Sequence, residues 1–236
     1  LFIFNATPTS AKRKQPKDTA AVKVSPYHEL TGRDSLSVHG IMNVIHKGND
    51  YYLEMPVKLM GKQFLVSNKL QQVPKELNEA GVNKGVNYEN QVIRFEIDKA
   101  QKKVLVRQQR LTPEAPSNSS IARSVKDNYI DPLIASLKID AMPKDSSSVI
   151  FKVNDLFNGQ KNCLNDVFNL INLGTSANSD LSRILSIQSF ERSIVATSEL
   201  TTIVHEDKSK TNVSVVVSSA IYLLPEKPMK RRKENW

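Results

Sequence analysis

Ile194-Val195-Ala196-Thr197-Ser198-Glu199-Leu200-Thr201-Thr202-Ile203-Val204, then Glu206-Asp207-Lys208-Ser209-Lys210, then Val213-Ser214-Val215-Val216-Val217-Ser218-Ser219-Ala220-Ile221-Tyr222-Leu223: this stretch decides the fold class. Ile194, Ala196, Ser198, Leu200, Thr202 and Val204 share one side, while Thr197, Glu199 and Thr201 take the other. Val213, Val215, Val217, Ile221 and Leu223 repeat that pattern until Pro225 stops it. Successive side chains of a strand point to opposite faces, so a period of two over two such runs joined by a polar loop predicts a long antiparallel hairpin.

The same signal recurs outward from it. Ile93, Phe95 and Ile97 alternate with Arg94 and Glu96; Asp98 to Lys102 turns the chain into Lys103-Val104-Leu105-Val106-Arg107. Tyr51, Leu53 and Met55 alternate with Tyr52, Glu54 and Pro56 after the turn Lys47-Gly48-Asn49-Asp50, and residues 63–68 and 149–153 read as further strands. Consecutive strands with short polar loops predict a mainly β chain with a minor α component, an antiparallel meander with sandwich-like sheets and two or three short helices. Ser117 to Ser120 offer caps for a helix over Ile121 to Lys126, and Asp180 for one over Leu181 to Ile187. Residues 133–137 after Asp131-Pro132 fit a helix or a strand equally, and the Asn-rich residues 154–179 read as a long irregular excursion.

The 236 residues suit one large or two small domains, and 39% hydrophobic residues suffice for a core. One cysteine excludes a disulfide scaffold, and no apolar run reaches the roughly 20 residues of a membrane-spanning helix. The net charge of +9 is concentrated at the ends: residues 1–18 and 226–236 each carry +3, leaving +3 for everything between. A nucleic-acid binder gathers its basic charge on a folded face, so no nucleic-acid partner is expected. Leu1 to Phe4, then small residues at Thr9 and Ala11, then the basic run from Lys12, give the order of a secretory signal remnant over residues 1–11. That order predicts an extracytoplasmic (periplasmic or secreted) location. Residues 12–26 read as a linker, 27–75 as a small β domain, 76–229 as a larger β-rich domain and 230–236 as a basic tail.

No catalytic motif emerges. His28-Glu29 and His205-Glu206 are followed at the fourth position by Gly32 and Ser209, so neither completes His-Glu-x-x-His, and His39 and His46 stand seven apart. Cys163 lies in a polar stretch without an evident base and reads as a structural thiol. Gly81 and Gly85 mark a flexible loop rather than a phosphate cradle, and Asp127 and Asp131 flank the short helix. No catalytic, cofactor-binding or metal-ligating residue is therefore assigned.

Several runs carry a resemblance: Leu36 to His39; Asp50-Tyr51-Tyr52-Leu53-Glu54-Met55-Pro56; Leu59 to Val66; Asn90 to Phe95; Ser124 to Ile139 with Val149 to Phe157; and Leu223-Leu224-Pro225-Glu226-Lys227-Pro228-Met229. In order and spacing, residues 30–229 resemble the N-terminal half of a family of exported bacterial zinc-dependent metalloproteases. In that family two domains of unknown function precede a zincin-type peptidase domain. The resemblance implies a non-catalytic region that packs against or assists a peptidase domain of the same longer chain, with peptide or protein substrates. Zinc is implied only for that peptidase domain, because its His-Glu-x-x-His helix has no matching positions here. Residues 230–236 also depart from the Arg/Asp-rich stretch that follows in the family. The chain is then either the front piece of a longer protease or a shortened relative, and the alternative is a stand-alone exported β-rich module for peptide or glycan.

Overall fold

A computed structural model describes residues 25–32, 35–110, 118–161, 163–173, 175–206 and 209–227. The signal remnant, nearly all of the linker, the hairpin tip at Asp207-Lys208 and the basic tail lie outside the described residues. In chain order the elements are α1 (Pro26–Leu30), β1 (Leu36–Val38), β2 (Asn43–Lys47), β3 (Asp50–Pro56), β4 (Gln63–Gln72), α2 (Lys75–Glu79), β5 (Asn87–Asp98), β6 (Lys103–Gln109), α3 (Ile121–Asn128), β7 (Leu133–Ala141), β8 (Ser148–Lys152), α4 (Val167–Leu170), β9 (Arg183–Ser189), β10 (Ser193–Glu206) and β11 (Ser209–Leu223).

The eleven strands form one antiparallel sheet in the order β1-β2-β3-β8-β7-β6-β5-β4-β11-β10-β9. Three meanders are thus laid side by side, and the mainly β, antiparallel expectation holds. Strands from both sides of residue 75 enter this sheet, since β4 is paired with both β5 and β11. Local chemistry makes the turns: Gly48 takes φ +63 at the first of two turn residues between Lys47 and Asp50. The Asp98 carboxylate accepts the N–H groups of Ala100 and Gln101 to close the β5–β6 turn.

The sheet must roll. Five strand spacings separate β3 from β4, about 24 Å if laid flat, yet only residues 57–62 join them, partly coiled as a 3-10 turn over Val57–Leu59. The link is tied across the end of the roll by Val57 N–H to Ser147 O and Gly61 N–H to Phe95 O, and it buries Leu59 as a plug. β7 turns the corner, pairing through Leu133–Lys138 with β6 and through Ile139 and Ala141 with β8. One core results, drawing Val44, Leu53, Phe64, Phe95, Val104, Leu137, Phe151, Ile187, Ala196 and Ile221 from ten different strands. A second core gathers Leu70, Leu77, Val167, Phe168, Ala177, Leu200, Val215 and Val217 around the outer halves of β10 and β11. A third, small one buries Ile45, Ala141 and Ile150 on the outside of the roll, where Tyr27 and Leu30 of α1 cover them.

Local readings fare unevenly. α3 matches the helix expected over 121–126, although Ser120 makes no side-chain cap bond. The helix expected over 181–187 is absent. Asn178, not Asp180, caps a single 3-10 turn at Ser179–Leu181, and residues 183–189 run as β9, because pairing with β10 buries Ile187 in the main core. Residues 133–137, open between helix and strand, are strand. α1 and α2 carried no sequence expectation.

Candidate functional site

The sheet is nearly closed, and its seam lies between β9 and the β1–β2 end of the roll. At one end the seam is pinned. Ile41 N–H donates to Phe190 O at 2.7 Å, and the Ser189 hydroxyl donates to Met42 O at 2.6 Å. Gly40 permits this approach: a Cβ there would stand 2.3 Å from Ser189 Oγ and 2.7 Å from Phe190 O.

Away from the pin the seam widens into a cleft of about 680 Å³, lined by the β2–β3 turn and the start of β9. Its floor is built by tethering. Tyr51 N–H donates to Asn154 Oδ1 at 2.8 Å, and Asn154 Nδ2 donates to Asn49 O at 3.0 Å, so the turn is held rigid. The His46 ring stacks on Tyr51 with centroids 4.2 Å apart, and the Tyr51 hydroxyl donates to Leu185 O at 3.3 Å. Burial holds the Tyr51 phenol above its ordinary pKa, so it stays a neutral donor. The charges at the rim are matched: Lys152 pairs with Asp50 at 2.6 Å, and Arg183 with Glu199 at 2.8 Å. The hydrogen bond that Lys152 donates to the Asp50 carboxylate raises the Lys152 pKa, keeping its ammonium charged. The cleft therefore presents rigid hydrogen-bonding groups and a stacked ring, without a nucleophile poised beside a base.

A second depression of about 470 Å³ surrounds Glu54 on the outer face. Its carboxylate accepts from the Tyr27 hydroxyl (3.0 Å), Asn43 Nδ2 (2.9 Å) and the Ser148 hydroxyl (2.7 Å). Three donors on three elements make Glu54 a tie that fastens α1 to β2 and β8.

The residues weighed in the sequence fall apart in space. His28 sits exposed on α1, His39 meets Asn43 before β2, and His46 lies in the seam; the side chain of His205 is outside the described residues. Among the described residues no three His, Cys, Asp or Glu side chains gather as a metal site. Asp127 faces Arg123 on α3, whereas Asp131 accepts from Arg94, and its backbone carbonyl accepts from Arg107. Gly81 and Gly85 take positive φ between α2 and β5. Cys163 is half-buried, and burial of its sulfur pushes the thiol up to about 12. Native protein is expected to resist alkylation at mildly alkaline pH while unfolded protein labels; equal rates would contradict the structural role. The tethers Asn49 and Asn154 were missed, because a seam between distant strands leaves no periodic trace. Asn49 was legible only as part of the Lys47–Asp50 turn, and Asn154 only through the Asn-rich composition that follows it.

No helix among the described residues is long and apolar enough to cross a membrane. Residues 24–73 match the model of a domain of unknown function (DUF5118), and residues 85–236 match that of another (DUF5117). No curated protein and no solved structure matches the chain. With more than half of its length matched, the chain belongs to the family described as domain of unknown function DUF5117.

Proposed function

We propose that this chain is a non-catalytic, extracytoplasmic region of a zinc-dependent metalloprotease, serving as the docking partner of a peptidase domain in the same longer protein. The ordered resemblance over residues 30–229 motivates the reading. The observation that carries it is a run of exposed large apolar side chains from α3 into β7. Ile121 is 59% exposed, Tyr129 46%, Ile130 73% and Leu133 49%, all within thirteen residues. The β7 side of this run is clamped at Asp131, between Ile130 and Leu133: Asp131 pairs with Arg94 and accepts Arg110 N–H at 3.1 Å, while Arg107 holds the Asp131 carbonyl at 3.0 Å. Large apolar side chains left uncovered suit a packed domain interface rather than a solvated loop.

The test is to read the gene past the codon for Trp236. A continuing frame with a His-Glu-x-x-His helix is expected, and Ile130→Asp should then weaken association of the two parts. A stop codon directly after Trp236 overturns the reading, as does chelator-sensitive proteolysis by the chain alone.

A second reading, a stand-alone exported module for peptide or glycan, draws on the seam. β1 pairs Leu36 with His46 and Val38 with Val44, yet lies wholly exposed as a sheet edge beside the cleft. An open edge invites strand addition. Saturable binding of an extended peptide by the isolated chain, lost in Tyr51→Ala, would favour this reading over the first.

A further inference from the structure

Three ladders between β9 and β5 lose register, the first two at one level and the third four residues further along β4. β9 slips against β10 between Thr197 and Ser198, β11 against β4 between Val216 and Val217, and β4 against β5 between Val66 and Asn68. The intervening β10–β11 ladder is unbroken and sets Ser198 opposite Val217. A bulge leaves a residue unpaired and bends its strand, so neighbouring bulges weaken the sheet along a line.

That line also divides the apolar interior. Ile194, Ala196 and Ile221 belong to the main core, whereas Leu200, Val215 and Val217 belong to the second. Between them lie Asn68, Asn165, Ser198 and Ser219, all polar and at most 1% exposed. Asn68 Nδ2 donates to Leu164 O at 2.8 Å, but Asn68 Oδ1 and Ser219 Oγ, on directly paired residues, have no hydrogen-bond partner among the described residues. A polar layer with unpaired atoms forgoes both apolar contact and hydrogen-bond energy at one cross-section.

We propose that this line is a hinge. The distal lobe (α2, residues 167–173 and 175–177, and the outer halves of β10 and β11) opens about it as one unit while the main barrel stays closed. The lobe has reason to move together. β10 pairs with β9 only as far as Glu199, and β11 with β4 only from Val216 onward, so the remaining hairpin is a two-stranded ribbon. Such a ribbon is marginal by itself, and here residues 175–178 brace it. Thr175 and Thr202 hydroxyls meet at 3.2 Å, Thr202 Oγ1 donates to Ser176 O at 2.9 Å, and Asn178 N–H donates to Thr201 O at 2.7 Å. Phe168, fully buried, anchors the brace to the ribbon core.

Native-state hydrogen exchange on the whole chain tests this. Amides of residues 167–171, 200–204 and 211–215 should share one opening, at least about tenfold more frequent than that of β5, β6 and β8, with a smaller denaturant slope than global unfolding. Phe168→Leu should speed exchange in all three lobe segments by one common factor and leave the barrel strands unchanged. One opening common to lobe and barrel overturns the hinge. So does a Phe168→Leu effect that spreads equally to both, or lobe segments that respond one at a time.

Discussion

Two regions adjacent in the chain are built on opposite terms. In β8, residues 148–152, ladders to β3 and β7 hold the strand, and its central side chains, Val149, Ile150 and Phe151, are fully buried and only pack. Among the described residues of 154–178 the ladder is absent, and asparagines take its place. Asn154 accepts Tyr51 N–H, Asn158 accepts Gln160 N–H, Asn165 accepts Gly159 N–H, and Asn178 accepts Asp180 N–H. A short amide side chain reaches a neighbouring backbone group without demanding a repeating conformation. The Asn-rich stretch is thus a compact brace whose hydrogen bonds come one at a time, and its stability should respond to single changes differently from that of the wall.

The largest effect is expected in the wall. Phe151→Ala, in a fully buried ring packed beside Phe95, should cost about 3–5 kcal/mol. Chemical denaturation should show both regions losing structure in one earlier transition, and a brace that outlasts the barrel would invert the comparison. Next comes the brace itself. Gly159 holds φ +70, and a Cβ there would lie 2.6 Å from Ala177 Cβ and 2.8 Å from Leu200 Cδ1. Gly159→Ala should therefore cost about 3 kcal/mol in the denaturation midpoint, from left-handed strain plus overpacking. A loss below about 1 kcal/mol would mean that the brace yields where the wall does not.

Asn165→Ala ranks third. It removes the acceptor for Gly159 N–H and a donor to Phe157 O in a fully buried site, at about 2 kcal/mol. Asn165→Asp, which keeps the acceptor, should restore part of the Gly159 contact, seen as slower exchange of that amide. The smallest effect is electrostatic. Burial holds the Asp166 carboxyl above its usual pKa, partly offset by the Ser176 hydroxyl. A carboxyl that binds its proton more tightly when folded withdraws stability as pH rises from its unfolded pKa through its folded one. Asp166→Asn should therefore gain on the wild type as pH climbs through the acid range, by less than about 1 kcal/mol given the group's exposure. A Tm difference that stays flat over that range would remove the charge from the account.

The wall was legible and the brace was not. Alternation at 93–97 and 194–204 named the strands, because each face of a strand meets one environment over many residues. Over Leu181 to Ile187 the same amino acids suit a helix, and only β10, reached through the fold, decides for a strand. The seam cleft was hidden for a related reason: Tyr51, Asn154 and Leu185 are joined by hydrogen bonds across long stretches of chain.

The six-residue link across the end of the roll sets an order of assembly. β3 finds its second neighbour only in β8, where Leu53 meets Phe151, roughly a hundred residues further along the chain. As the polypeptide leaves the ribosome, β1 to β3 form a three-stranded ribbon with one apolar face and nothing to close on. β4 to β7 must grow first, and β8 then zips the early ribbon onto them. Closure of that late, long-range contact makes a slow folder of a molecule composed mostly of local hairpins.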